Sequence, residues 1–180
     1  MIKFAFFPLL SLVSGTPLPL AIVESCSMYH QGDIFSNFNA WWGRHYVKYT
    51  SLNMTESEFM NFPFHNGFDK GDILFITGVS PQNVKIGDVI IFNVNGESSP
   101  IIHRVINITV QNGTYVFSTE GDNNNGQLSF EKYIIGSGSG NQVIGKAAFK
   151  VAPFIGWIKL IMFQWQLPSY ERGLCYETPT

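Results

Sequence analysis

From Asp72 onward the sequence takes on the rhythm of strands. Ile73-Leu74-Phe75-Ile76, Val89-Ile90-Ile91-Phe92, Ile101 to Val110, Thr114 to Thr119 and Val143 to Val151 are rich in β-branched and aromatic residues. Gly, Pro, Asn and Ser punctuate them, as strand boundaries require. Between the third and fourth runs stands Asn112-Gly113, a pair suited to a two-residue hairpin turn with positive φ at both positions. Asn123-Asn124-Asn125-Gly126 and Gly136 to Gly140 read as loops. The chain is therefore predicted to be mainly β (α+β), an antiparallel β domain with a helical insert near its start.

The insert falls at about residues 33–70. Asp33 is suited to N-cap a helix in which Ile34, Phe38, Trp41 or Trp42, and His45 recur at three- to four-residue spacing. A second, short helix is predicted from Thr55, where Thr55 and Glu58 have capping-box spacing, and ends before Pro63. Its apolar face carries Phe59 and Phe62, either as ordinary core or as a surface resting on lipid or bordering a peptide groove.

Ahead of the insert, Phe4 to Val23 is a run of twenty residues without a charge, long enough to cross a hydrocarbon core as a helix. Residues 1–24 are accordingly expected to form an N-terminal transmembrane signal anchor. Residues 25–163 then form the β domain and residues 164–180 a C-terminal tail. Pro8 weakens such a helix, whereas Pro17 and Pro19 lie near its outer end, where prolines are tolerated. A cleaved secretory signal and a buried soluble helix are the competing readings, but cleavage after Ala21 would put Pro19 at −3, where a small residue is wanted. Either membrane reading places the remaining chain outside the cytoplasm, at the cell membrane for a single-pass anchor. Three glycosylation sequons agree with this, Asn53-Met54-Thr55, Asn107-Ile108-Thr109 and Asn112-Gly113-Thr114. The apolar stretch Val151 to Phe163, interrupted by Lys159, is expected to lie on the sheet or on the membrane surface.

Composition narrows the partners. A net charge of −2 with scattered Lys and Arg gives no basic face for nucleic acid. Aromatic residues make up 15% against 13% charged, a balance suited to contact with membrane lipid. Cys26 and Cys175 are far apart and leave a disulfide open, without a disulfide framework. His30, His45, His65 and His103 form no tight cluster, so no metal or other cofactor is implied.

Three positions together suggest chemistry. Ser27 lies four residues beyond the apolar run. In Ile101-Ile102-His103-Arg104-Val105, alternation puts His103 on an apolar strand face. A histidine there is either a satisfied core residue or a neutral imidazole of the kind a general base for serine needs. Counting back from the Asn112-Gly113 turn places Asp122 across from His103, if the register runs that far without a bulge. An aspartate so placed would hold the imidazole tautomer. Its plainer reading is an acid capping a turn.

These same positions resemble the boxes of the signal peptidase I family. Ser25-Cys26-Ser27-Met28 resembles the serine box that follows the membrane anchor, and Gly71-Asp72-Ile73 and Gly87-Asp88-Val89-Ile90 resemble two Gly-Asp strand starts. Ile102-His103-Arg104-Val105 resembles the general-base box and Gly121-Asp122-Asn123-Asn124 the acidic box. Val143-Ile144-Gly145-Lys146 with Pro153 and Gly156-Trp157 is similar to the terminal strand and its exit. The match runs in order from about Val23 to Lys159. Histidine at the base position is similar to the archaeal enzymes and the endoplasmic-reticulum subunit, where bacterial enzymes carry lysine. Cys26 and the aromatic insert look like an archaeal variant.

The resemblance implies a membrane-bound serine endopeptidase that removes signal peptides from secretory preproteins. Ser27 is the nucleophile, His103 the general base and Asp122 the orienting acid. Ser25 and Met28 are assigned to the oxyanion and substrate-binding side, with the Ser27 backbone N–H as oxyanion donor. Expected partners are signal peptides, membrane lipid and the protein translocation machinery. The chain departs from the family at the second acid after the Gly-Asp-Asn box, where Gln127 and Leu128 stand and the next acid is Glu131. The third member is thus open between Asp122, Glu131 and a Ser–His dyad. The departure also admits a catalytically inactive, membrane-tethered subunit of a translocation or signal peptidase complex.

Overall fold

A computed structural model describes residues 2–32, 38–167, 169 and 172–177, with backbone alone for residues 2–5. Seven strands form one antiparallel sheet in the order β1-β2-β7-β3-β4-β5-β6. They are β1 (Leu20–Ile22), β2 (Ile73–Thr77), β3 (Val89–Phe92), β4 (Ile101–Gln111), β5 (Thr114–Glu120), β6 (Ile134–Ile135) and β7 (Val143–Ala152). The helices are α1 (Ile2–Ser14), α2 (Phe38–Ser51), α3 (Glu56–Met60) and α4 (Trp157–Leu160). All five predicted runs are strands. β1 and β6 escaped prediction because one is concealed in the apolar N-terminal run and the other has two residues.

β3 lies at the centre and is buried on both faces. Alternation sends Val89 and Ile91 into a cluster with Met28, Phe68, Leu74 and Ile76, and Ile90 and Phe92 into another with Val105, Phe117 and Ile134. A third cluster belongs to the insert, where Phe38, Trp41, Trp42, Tyr49 and Phe59 pack with Ile106 of β4. The insert aromatics are therefore core, with Trp41 and Phe59 fully buried. The Thr55–Glu58 capping box starts α3 as predicted. Asp33 and Ile34, the predicted start of α2, lie outside the described residues.

The apolar N-terminal run is not one helix. α1 ends at Ser14, the chain turns at Gly15, and β1 begins at Leu20. Pro17 and Pro19 have no N–H to continue a helix. The sheet takes over their stretch instead: Thr16 Oγ1 donates to the Ile144 carbonyl, and the Ile76 N–H donates to the Pro19 carbonyl. No helix among the described residues is long and apolar enough to cross a membrane. The thirteen residues of α1 cover about 20 Å.

One irregularity governs the site. The hairpin turns at Asn112 (φ 51°) and Gly113 (φ 78°), where the positive φ values match the twist of the flanking strands. Facing pairs then run regularly from Gln111↔Thr114 to Asn107↔Ser118. At Ile106 a bulge inserts one residue, and the ladder resumes as Val105↔Thr119 and Arg104↔Glu120. Every residue of β4 before the bulge is thus displaced by one against β5.

Candidate active site

The loop after β1 is stitched to two neighbours. On one side the Val23 N–H donates to the Asp72 carbonyl and the Phe68 N–H to the Met28 carbonyl. On the other the Asn123 N–H donates to the Ser27 carbonyl at 2.8 Å, and Asn123 Nδ2 donates to the Cys26 carbonyl at 3.0 Å. Gly121 lies against this loop so closely that a Cβ there would sit 2.8 Å from the Ser27 carbonyl oxygen. Ser27 is thereby held at the corner where the chain leaves β5. Its Oγ lies 3.1 Å from Ser25 Oγ, and no hydrogen bond joins it to His103.

His103 sits in β4 opposite Ile90 of β3 and is 4% exposed. Its Nδ1 is hydrogen-bonded to Oε1 of Glu131, which is fully buried. Glu131 lies in a short 3-10 turn, Ser129–Lys132, beyond β5. The Leu128 N–H donates to its Oε2 at 2.7 Å, so the carboxylate is fixed from both sides. A carboxylate on Nδ1 selects the tautomer that leaves Nε2 as the basic nitrogen.

Asp122 does not face His103. The bulge at Ile106 moves the register by one, and Asp122 lies past the end of β5. Its carboxylate instead meets Arg104, the neighbour of His103 on the opposite face of β4. Arg104 Nη2 donates to Oδ2 at 2.6 Å and Nε to Oδ1 at 2.9 Å. Tyr49 Oη donates to Oδ1 and His30 Nε2 to Oδ2, both at 2.9 Å. Burial alone would raise the Asp122 pKa, but Arg104 and the His30 hydrogen bond hold it well below the usual carboxylate range. Burial, chiefly, pushes the His30 imidazole down to about 4, against the pull of Asp122. Burial and the nearby Asp122 charge push the Tyr49 phenol up.

This cluster fastens the insert to the sheet. Arg104 also donates to the carbonyls of Pro63, Phe64 and Gly87 and lies over the Phe59 ring, 4.7 Å from its centroid. From α2, Lys48 Nζ donates to the carbonyls of Gly121 and Asn124 and pairs with Glu120 at 2.9 Å. The insert therefore braces the corner that carries Ser27. None of these supports was singled out from the sequence; the Arg after His103 was the only local signal.

No protein-family profile matches the chain. Among curated proteins it is similar to the signal peptidase complex catalytic subunit SEC11C of Homo sapiens, with 33% identity over 117 residues, 59% of this chain and 55% of that protein. The likeness is to signal peptidase catalytic subunits, over 117 residues of this chain. The sec11 subunit of Neurospora crassa is 28% identical over 100 residues, covering 53% of this chain and 56% of its own length. That of Yarrowia lipolytica is 25% identical over 114 residues, covering 57% and 60%. The chain thus spans little more than half the length of the first of these signal peptidase subunits.

Within this chain the predicted residues fall into two groups. Ser27, Ser25 and Asp122 converge on the corner after β5, whereas His103 is held by Glu131 rather than by Asp122. Met28, assigned to substrate binding, is 1% exposed and packs in the central cluster, with its sulfur 3.5 Å from the Asp122 N–H. It supports the loop from beneath and has no surface to offer a peptide.

Proposed function

We propose that this chain is a serine endopeptidase that removes signal peptides from secretory preproteins, with Ser27 as nucleophile, His103 as general base and Glu131 as orienting acid. The observation that carries the reading is the buried Glu131 carboxylate on Nδ1 of His103. It reserves Nε2 for the Ser27 hydroxyl proton and stabilises the imidazolium formed as that proton moves. Ser27 Oγ attacks the scissile carbonyl, His103 returns the proton to the leaving amine, and water then hydrolyses the acyl-enzyme. The Ser27 N–H, assisted by the Ser25 hydroxyl, stabilises the oxyanion, an effect worth about 3–4 kcal/mol for one such donor. Asp122 acts as a structural counter-charge to Arg104.

The site would work at the outer face of a membrane. Leu12 and Val13 of α1 are 80% and 75% exposed, as befits a helix whose surroundings are lipid. Ile158, Met162 and Trp165 around α4 present a second apolar surface, suited to the interface. A disulfide between Cys26 and Cys175 and the exposed asparagines of all three sequons favour an oxidising, extracytoplasmic compartment.

The test is cleavage of a purified preprotein in detergent or liposomes by wild type, Ser27→Ala, His103→Ala and Glu131→Gln. Wild-type cleavage after the −1 residue, with large losses in all three variants, supports the assignment. A folded wild type as inert as Ser27→Ala would make the chain a non-catalytic subunit.

A further inference from the structure

The C-terminal residues 172–177 do not trail away from the domain; they close on the loop that carries Ser27. Cys175 is disulfide-bonded to Cys26 across 149 residues of sequence. Next to it, the Tyr176 carbonyl accepts a hydrogen bond from Asn123 Nδ2 at 3.0 Å. The same Nδ2 donates to the Cys26 carbonyl, and the Asn123 N–H donates to the Ser27 carbonyl. Glu177 then reaches α2, where Arg44 Nη2 lies 2.8 Å and His45 Nδ1 3.5 Å from its carboxylate. α2 completes a circuit through Lys48, which grips the carbonyls of Gly121 and Asn124.

The circuit converges on one peptide unit. The carbonyl of Cys26 and the N–H of Ser27 belong to the same planar group, and fixing one fixes the direction of the other. Asn123 Nδ2 and the Tyr29 N–H (3.1 Å) both donate to that carbonyl. The disulfide holds the side chain of the same residue. Resting on the peptidase reading above, we propose that residues 172–177 form a covalent clasp that aims the Ser27 N–H at the developing oxyanion, with Cys175 and Glu177 as positioning residues. An oxyanion donor must already be oriented when charge develops, so the clasp acts on turnover rather than on substrate binding. A dithiol opens it by exchange: two hydrogens pass to the Cys26 and Cys175 sulfurs, and the dithiol closes as its own disulfide.

The experiment compares oxidised wild type, wild type reduced with dithiothreitol, Cys175→Ser, Glu177→Gln and Ser27→Ala in preprotein cleavage. Thermal unfolding and amide exchange are recorded on each. Cys175→Ser and reduced wild type should lose about 10–100-fold in kcat with KM little changed. Re-oxidation should restore wild type, and dithiothreitol should leave Cys175→Ser unaffected. Glu177→Gln, which keeps the disulfide, should show a smaller loss in kcat alone. The clasp is overturned if reduced wild type and Cys175→Ser turn over at the oxidised rate, or if their loss vanishes on cooling well below their unfolding temperatures. If oxidised wild type is as inert as Ser27→Ala, the peptidase reading fails instead. Exchange then decides the clasp: faster exchange at Tyr29 and Asn123 in Cys175→Ser supports it, and unchanged exchange overturns it.

Discussion

Glu131 holds Nδ1 of His103 with a carboxylate that has no exposure to solvent, while the next residue, Arg104, holds a different acid, Asp122. Adjacent side chains on opposite faces of β4 thus draw two acids into separate tasks. One acid orients an imidazole; the other neutralises a buried guanidinium.

If Glu131 orients His103, Glu131→Gln should lower kcat by about 10⁴-fold, the scale seen when the acid of a triad becomes an amide. The fold should survive, because the amide oxygen can still accept the Leu128 N–H. Steady-state cleavage of a preprotein beside circular dichroism checks this. A variant with wild-type kcat would exclude Glu131 from the mechanism.

Asp122→Ala should act on stability first. It strands Arg104, which is fully buried, and loss of one partner from a buried ion pair costs about 3–5 kcal/mol. It also removes the acceptor for Tyr49 and His30. Denaturant unfolding should show a much lower midpoint, and a midpoint within error of wild type would refute the structural assignment.

His30 should make the protein acid-sensitive. Its pKa falls from an ordinary 6.5 to about 4 on folding, so the unfolded chain takes up a proton that the folded protein refuses. Stability is full above pH 6.5, declines as pH falls through this window, and levels off near pH 4. The total is on the order of 3 kcal/mol. Asp122, with its pKa depressed, adds a further loss only below about pH 4. Urea unfolding at pH 7 and pH 4.5 should show the decline in wild type and a flatter response in His30→Gln.

Gly121→Ala tests the corner itself. A Cβ there would meet the Ser27 carbonyl at 2.8 Å and Asn124 Nδ2 at 2.7 Å, so the loop that carries Ser27 must shift. Overpacking of this kind costs about 1–3 kcal/mol, and displacement of Ser27 should lower kcat more than it raises KM. An active, fully stable variant would show the corner to be slack.

The sheet was legible because strands buried on one or both faces declare themselves in apolar runs, and because Asn112-Gly113 marks its turn without ambiguity. Ser27, His103 and Asp122 were legible as short boxes. The contact of His103 with Glu131 was not: the bulge at Ile106 shifts the register by one residue without a local residue signal. Nor could spacing reveal the tie between Cys26 and Cys175, which is made in space alone. The N-terminal run was read as one helix because hydropathy does not distinguish a helix from a helix followed by a buried strand; Pro17 and Pro19 were the evidence against it.

The bulge also divides β4 into two stretches. Residues before it carry His103 and Arg104, whereas Asn107 and Thr109 to Gln111 beyond it face solvent. The outer hairpin can therefore be treated as a handle. An epitope or reporter spliced in at Asn112-Gly113, or a sugar attached there, would sit at the tip of the hairpin, on the far side of Ile106 from His103.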